Sequence, residues 1–234
     1  MNIIVTGCSR GIGLELVKHF AQVKDAKIMG LARNREVLLK LEQSLGKDKF
    51  KGVAFDLLEI REKWTILECE INAYFKHIDI IVNNAGVLYN KLFVKTNMHE
   101  IERTFMANVF APMELIRRLL PFLENSKHAH VVNIGSMGGF QGSEKFPGIS
   151  WYSSSKAALA CLTECLAAEL QESNISCNCL ALGAVQTEML TTAFPGYLAP
   201  VNANEMAEFI ANFAQTGHKL FNGKVIPVAL SNPK

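Results

Sequence analysis

The sequence contains no long hydrophobic run and no block of like charge. Its longest apolar stretches, such as HIDIIVNNAG, fall well short of the ~18–20 residues that a membrane-spanning helix needs. The formal net charge is +2, which argues against a general nucleic-acid or membrane-surface binder. The opening MNIIVTG has neither the basic start nor the small-residue cleavage site of a signal peptide. From these absences we expect a soluble, cytoplasmic protein that binds neither nucleic acid nor membrane.

The sequence also lacks the spacings of a metal site or a disulfide framework. Its six cysteines form no zinc ligand set, and no histidine pair completes one. We therefore predict no bound metal and reduced, mostly buried thiols. Cys8 lies in a loop before a helix, where a thiol can be acidified, but a redox role is the less favoured interpretation. His128 and His130 precede a strand and are expected on the surface.

What the sequence does contain is an alternation of short apolar runs and longer helix-like runs. The apolar runs show little polar alternation, which is typical of strands that are buried on both faces. Their alternation with helices implies right-handed crossovers and a parallel sheet. Because no linker, low-complexity segment or repeat interrupts the pattern, we predict a single α/β domain over residues 1–234. Its predicted architecture is a Rossmann-type doubly wound sheet flanked by helices.

A glycine-rich turn, TGCSRGIG, follows the first predicted strand and opens the first predicted helix. Gly7 permits a tight turn, and Gly11 and Gly13 let the backbone approach a pyrophosphate. The start of the helix offers free N–H groups and the positive end of its dipole. A glycine-rich turn without a ligand is the alternative, but the strand–turn–helix context favours a dinucleotide site.

The end of the second predicted strand lacks the carboxylate that usually selects NAD. Ala32 and Arg33 occupy that place, and Arg10 in the glycine turn can converge on the same position. A guanidinium binds a 2′-phosphate that a carboxylate would repel. Either arginine alone can equally be a solvated surface side chain, but the two together favour NADP. Asp56, at the end of the third strand, can accept from the adenine amino group, cap the next helix, or do both.

Tyr152 and Lys156 are four residues apart in SWYSSSKAAL, so they share one face of a helix. A nearby ammonium lowers the tyrosine pKa from its ordinary ~10, and the phenol can then protonate a carbonyl oxygen. The serines between them are small and do not block a substrate. A Tyr-x-x-x-Lys pair alone is weak evidence. Ser136 at the end of the fifth strand and Asn108 within an apolar helix are polar groups that strengthen it.

Together these motifs resemble the short-chain dehydrogenase/reductase family over nearly the whole chain. In order they are TGCSRGIG, Asp56, NNAG at 83–86, Asn108, Ser136, YSSSK at 152–156 and LGAVQTEM at 182–189. The resemblance implies about seven parallel strands in the order 3-2-1-4-5-6-7. It implies a catalytic tetrad of Asn108, Ser136, Tyr152 and Lys156. In that tetrad Tyr152 is the acid/base and Ser136 positions the substrate. Lys156 tunes Tyr152 and binds ribose, while Asn108 holds a relay water through its backbone.

The resemblance also implies one site for NADP(H) along these motifs. Its expected cofactor-binding residues are Gly7, Ser9, Arg10, Gly11, Ile12, Gly13, Arg33, Asn34, Asp56, Leu57, Asn84, Ala85, Gly86, Tyr152, Lys156, Gly183, Val185 and Thr187. The loop at 187–200 is the expected lid. Its apolar side chains, Met189, Leu190, Phe194 and Tyr197, suggest a small apolar carbonyl or alcohol substrate.

The sequence departs from the family pattern at three places, and each departure predicts a structural difference from the family. Leu182-Gly183 replaces the usual Pro-Gly, which is expected to loosen the turn under the nicotinamide. The interval between Ser136 and Tyr152 is longer than common, and its Phe140, Phe146 and Trp151 are expected to shape the substrate pocket. The C-terminal VALSNPK replaces a glycine-rich ending, which puts a common tetramer contact in doubt.

The sequence thus predicts an NADP-dependent carbonyl reductase. The alternatives are a regulatory protein that uses the nucleotide to sense or to bind a partner, and a structural relative without turnover. The intact tetrad argues against both. The helical runs at 98–123 and 151–173 are expected to form a four-helix interface in a homodimer or homotetramer. Their alanines, 157, 158, 160, 167 and 168, allow close helix contact, unless they merely pack against the sheet.

Overall fold

The structure, a computed structural model, describes residues 1–230. Its strands are β1 (Asn2–Thr6), β2 (Lys27–Ala32), β3 (Phe50–Ala54), β4 (Ile80–Asn83), β5 (Ala129–Ser136), β6 (Ile175–Leu182), β7 (Val185–Gln186), β8 (Val201–Asn202) and β9 (Val225–Val228). Its α-helices are α1 (Gly11–Ala21), α2 (Arg35–Leu45), α3 (Trp64–Tyr74), α4 (Met98–Phe105), α5 (Ala111–Glu124), α6 (Ser150–Glu169), α7 (Glu188–Ala193) and α8 (Ala203–Thr216).

Seven strands form one parallel sheet in the order β3-β2-β1-β4-β5-β6-β9. This confirms the expected order, with β9 as the seventh strand of the sheet. The short strands β7 and β8 pair separately. The chain reverses its direction of travel across the sheet between β1 and β4, which leaves a crevice at the carboxyl ends of the strands. The prediction of a Rossmann-type α/β fold is therefore correct.

Helices cover both faces of the sheet. On one face α1, α2 and α8 bury Phe20, Leu38 and Ile210 against the strands. On the other face α3 and α5 bury Leu67 and Leu119. Successive strand residues enter opposite layers, so the strands are apolar at every position rather than at every second one.

The long helical run begins at a capping box but is not one regular helix. The Asn97 side chain accepts a hydrogen bond from the Glu100 N–H at 2.9 Å, and Glu100 accepts one from the Asn97 N–H at 3.2 Å. Between α4 and α5 the backbone forms a π-helical segment, Met106–Phe110. Such segments occur frequently at functional sites, and this one contains Asn108.

His130 is buried inside β5, so the expectation that it lies on the surface is wrong. Its Nδ1 donates to the Ala214 carbonyl oxygen at 2.9 Å, and its Nε2 accepts from the Asn178 amide at 3.0 Å. Burial lowers the pKa of His130 to about 4. The strand begins at Ala129, one residue before His130, and α8 covers the ring. A neutral histidine therefore joins β5, β6 and α8.

Acid is expected to destabilise the fold through His130. Its pKa is about 4 in the folded protein and ~6.5 in the unfolded chain. The unfolded chain therefore takes up the proton first, and stability is lost as pH falls from ~6.5 towards 4. The shift corresponds to roughly 3 kcal/mol. Urea unfolding at several pH values should show a smaller loss in a His130→Gln variant than in the exposed control His99→Gln. Equal pH slopes in the two variants would contradict this assignment.

The cysteines divide evenly between core and surface. Cys8, Cys177 and Cys179 are buried, whereas Cys69, Cys161 and Cys165 are exposed, so the expectation of mostly buried thiols is only half right. Burial raises the pKa of Cys8 to about 12, which keeps this thiol protonated and unreactive. Across residues 1–230 no group of three metal-binding side chains is assembled. In the same range no helix is long and apolar enough to cross a membrane.

Candidate active site

The turn at residues 6–13, called the glycine turn below, is shaped for close approach of a ligand. Gly7 and Gly11 have positive φ angles of 70° and 54°. A Cβ on Gly13 would lie 2.3 Å from the Gly7 carbonyl oxygen. Helix α1 starts without a side-chain cap or an acidic residue in its first turn, so its first N–H groups are left for an anion. These features fit the pyrophosphate of a dinucleotide.

The loop after β4 is hydrogen-bonded to the glycine turn. The Thr6 hydroxyl accepts hydrogen bonds from the N–H groups of Asn84 and Ala85, both at 3.0 Å. The Asn84 amide donates to the carbonyls of Thr6 and Gly7 at 3.0 and 3.3 Å. Asn83 is buried and donates instead to Asn133 on β5 at 2.8 Å. Of the two asparagines of NNAG, Asn84 therefore connects the loop after β4 to the glycine turn, and Asn83 connects β4 to β5.

The charged groups at the end of β2 lie beside Asp56. The exposed Arg33 guanidinium is 3.9 Å from one Asp56 carboxylate oxygen. The other oxygen accepts from the Leu58 N–H at 3.1 Å and caps a 3₁₀ turn. Of the two roles considered for Asp56, capping is the one that the geometry shows. Asn34 caps α2 by accepting from the Val37 N–H at 3.2 Å.

Tyr152 and Lys156 lie in the first two turns of α6, next to the end of β5. Lys156 is buried, and its Nζ donates to the Ile134 carbonyl oxygen at 2.7 Å. Burial lowers the pKa of Lys156 to about 8. Burial also raises the pKa of Tyr152, and hydrogen bonding with Ser136 opposes that increase. The Lys156 Nζ lies 5.8 Å from the Tyr152 ring centre, and Ser136 rather than Lys156 lowers the tyrosine pKa here.

Asn108 is fully buried, and its whole side chain is hydrogen-bonded. Its amide donates to the Val87 carbonyl and to the Ser155 hydroxyl, both at 2.9 Å, and its oxygen accepts from the Val87 N–H at 2.8 Å. Ser155 in turn donates to the Tyr152 carbonyl at 2.7 Å. Ser155 therefore connects Asn108 to α6, a role that its small size alone did not suggest. The signal in the sequence was the buried asparagine, which needs polar partners.

Gly139 is a second residue that the sequence interpretation missed. A Cβ at this position would lie 2.6 Å from the Ala157 nitrogen and 2.7 Å from the Lys156 carbonyl carbon. Only glycine lets the 3₁₀ turn after Ser136 pass this close to α6.

The glycine turn, the strand ends and α6 border one cleft of about 540 Å³. All the residues expected at the site line this cleft except Gly13, Asn34 and Asn108. Lining residues that were not foreseen include Val87, Leu88, Arg103, Ala107, Met137 and Ile149. Of the three aromatic residues expected to shape the pocket, only Phe146 lines it. Trp151 stacks on Phe93 instead, with ring centres 5.1 Å apart.

The segment at 187–200 borders the cleft and is held at both ends. Thr187 caps α7 by accepting from the Leu190 N–H at 3.3 Å. The β7–β8 ladder joins the two ends of the segment, and the Asn90 amide donates to the Ala193 carbonyl at 2.6 Å. All four apolar side chains named for the lid, Met189, Leu190, Phe194 and Tyr197, line the cleft.

The turn before this segment is firmly held although it lacks a proline. The Gly183 N–H donates to the Val228 carbonyl on β9 at 2.9 Å. Leu182 is buried and paired with Val228 in the sheet. The expected loosening of this turn is therefore not observed. Of the unusual C-terminal stretch, residues 231–234 lie outside the described residues.

Comparison with known proteins agrees with this geometry. The family model for short chain dehydrogenases matches residues 1–197. The chain belongs to the short-chain dehydrogenase/reductase family of oxidoreductases. A benzil reductase of Saccharomyces cerevisiae is 34% identical over 193 residues, covering 80% of this chain and 72% of that protein. Dehydrogenase/reductase SDR family member 7B of Bos taurus is 30% identical over 203 residues. That match covers 82% of this chain but 60% of the relative, so this chain spans about three-fifths of its length.

Solved structures share the fold over the full chain. An L-sorbose reductase from Gluconobacter frateurii, in complex with NADPH and L-sorbose, has a TM-score of 0.87 at 25% identity. The match covers 100% of this chain and 96% of that one. Structures with this fold include complexes with NADPH and with NADH, so the family alone does not select between the two cofactors.

Proposed function

We propose that this protein is an NADP(H)-dependent oxidoreductase that interconverts a small, apolar carbonyl compound and its alcohol. One observation carries the proposal. The Tyr152 phenol, the Ser136 hydroxyl and the buried Lys156 ammonium are gathered in the cleft that also contains the glycine turn. A proton donor and a dinucleotide site thus share one cavity.

The residues that would hold the cofactor form two groups, one at its adenosine and pyrophosphate end and one at its nicotinamide end. The glycine turn and the start of α1 bind the pyrophosphate, and Arg10 and Arg33 bind the adenosine 2′-phosphate. Lys156 binds the nicotinamide ribose, while Val185 and Thr187 contact the carboxamide. Bound NADP(H) supplies or accepts the hydride. The cofactor would bind at the edge of the sheet formed by the carboxyl ends of the strands, because these residues all lie there.

Tyr152 is the general acid in the reducing direction. Burial raises its pKa, so the phenol is protonated at neutral pH and can deliver a proton to the carbonyl oxygen. The Ser136 hydroxyl is hydrogen-bonded to Tyr152 and limits the rise of the tyrosine pKa. When a carbonyl compound binds, this single O–H group donates to the carbonyl oxygen instead. Asn108 fixes the loop at Val87 and, through its backbone, holds the water that relays protons to Lys156.

The lining of the cleft supports an apolar substrate. It includes the apolar side chains of Met137, Phe146 and Ile149, and the segment at 187–200 adds further apolar side chains. We assign that segment as the substrate lid. A regulatory protein that only binds the nucleotide is the second candidate, and it would not require the arrangement of Ser136, Tyr152 and Lys156.

The test of this function is a reductase screen over aldehydes, diones, 3-oxoacyl thioesters and quinones, each with NADPH and with NADH. We expect turnover of aldehydes or diones with NADPH, followed as loss of nicotinamide absorbance. Tight NADPH binding without turnover of any of these classes would favour the regulatory candidate instead.

We also propose that the protein assembles through the face formed by α4, α5 and α6. Ala157 and Ala168 on α6 are exposed, whereas Ala167 packs inward against the sheet. Close to the same face, Val94 and Met98 are 85% and 66% exposed, and uncovered apolar side chains are typical of an interface.

Sedimentation at micromolar concentration is expected to show at least a dimer. A Val94→Asp variant should shift the equilibrium towards monomer because it places a charge in the apolar contact. The exposed Leu220→Asp variant is the matched control, because Leu220 lies outside this face. A wild-type protein that sediments as a clean monomer would contradict the proposed assembly.

A further inference from the structure

Glu188, the first residue of α7, lies directly against the glycine turn. A Cβ built on Gly11 would lie 3.6 Å from the Glu188 Oε2 atom and 3.4 Å from the Thr187 Cγ2 atom. Glu188 also lines the cleft. Within residues 1–230 its carboxylate forms no side-chain hydrogen bond, and no salt bridge joins it to Arg10.

This position matters because of what the glycine turn presents. Gly11 is the first residue of α1, a helix with no side-chain cap and no acidic residue in its first turn. The carboxylate that faces this helix start therefore comes from the lid, far along the chain. A helix start attracts anions through its N–H groups and its dipole, and Glu188 reaches the same region that a pyrophosphate would use.

We propose that Glu188 sets the affinity of the protein for its dinucleotide by opposing the pyrophosphate. The inference rests on the proposed function, because it takes the glycine turn to be the pyrophosphate site. Repulsion between this solvent-screened carboxylate and a pyrophosphate at the glycine turn is expected to weaken binding by about tenfold. The carboxylate thereby favours release of the cofactor after each turnover.

The mechanism makes a specific prediction about the two cofactors. NADPH and NADH share the pyrophosphate and differ at the 2′-phosphate, which Arg10 and Arg33 would bind. Removing the Glu188 charge should therefore strengthen binding of both dinucleotides by the same factor and leave their ratio unchanged. Substitution of either arginine should change the ratio instead.

The experiment measures dissociation constants of NADPH and NADH by calorimetry for the wild type, Glu188→Gln and Glu188→Asp. Glu208→Gln, an exposed residue of α8 outside the cleft, is the matched control. We expect Glu188→Gln to lower both constants by about tenfold at low salt, and the gain to shrink at high salt because it is ionic. Glu188→Asp, which keeps the charge, should stay within a few-fold of the wild type, as should Glu208→Gln.

Unchanged or weaker binding by Glu188→Gln would overturn the proposal. An equal gain in Glu188→Asp would overturn it too, because shortening the side chain would then matter more than its charge. Turnover is measured separately. A wild type that binds dinucleotides without reducing any carbonyl contradicts the reductase function and leaves the comparison of dissociation constants intact. A wild type that binds neither dinucleotide contradicts both.

Discussion

Replacing Tyr152 by phenylalanine is expected to lower kcat by ~10²-fold or more while NADPH binding is retained. The phenyl ring fills the same space beside Lys156, so the cofactor pocket keeps its shape. Only the hydroxyl that donates the proton is lost. Steady-state kinetics and NADPH titration on the same preparation separate the two effects. Normal turnover by the phenylalanine variant would show that Tyr152 is not the general acid.

The protonation of Lys156 predicts how the rate of carbonyl reduction depends on pH. Its pKa is lowered to about 8 by burial, so the ammonium is present below that pH and is lost as pH rises through it. We therefore expect the rate of carbonyl reduction to fall above about pH 8, well below the titration of an ordinary tyrosine. Lys156→Ala should lose both rate and cofactor affinity. Ser154→Ala, an exposed change on the same helix, should retain both.

The second large effect is expected in the choice of cofactor. If Arg33 and Arg10 both bind the 2′-phosphate, each charge-assisted contact is worth roughly 1.5–3 kcal/mol. Two such contacts give a preference for NADPH on the order of 10²-fold, and solvent exposure moves it towards the lower end. The preference should also weaken as salt is added.

Variants at the end of β2 test this preference. Arg33→Ala should weaken NADPH binding and leave NADH binding nearly unchanged. The loss includes a repulsive part, because the variant leaves the Asp56 carboxylate near the phosphate without its cation. Ala32→Asp should go further, since it adds a second carboxylate and a partner for the ribose 2′-hydroxyl.

The measurement is kcat/KM with each cofactor across these variants. Arg35→Ala is the matched control, because Arg35 is exposed in α2 and lies outside the cleft. Equal kcat/KM values for NADPH and NADH in the wild type would rule out the NADP assignment and leave the reductase proposal intact.

Local signals in the sequence were enough for the elements that bear the site. The strand β5 ends at Ser136, where the sequence placed the end of the fifth strand. The capping box at Asn97 is present because its two hydrogen bonds involve only four consecutive residues. The glycine turn is likewise local, since its conformation depends on residues that lack a Cβ where the backbone must turn. The strand order came from the family resemblance, which encodes long-range pairing that periodicity alone does not contain.

The sequence by itself determined the fold class, the element that carries each motif, and the arrangement of those motifs at one edge of the sheet. Only the tertiary structure decided which side chains meet there. Ser155 reaches Asn108 across 47 positions, and the carboxylate of Glu188 lies against Gly11. His130 is buried because α8 closes over it. The physical reason is the same in each case: burial and hydrogen-bond partners depend on how separate elements pack, and that packing has no local signature in the chain.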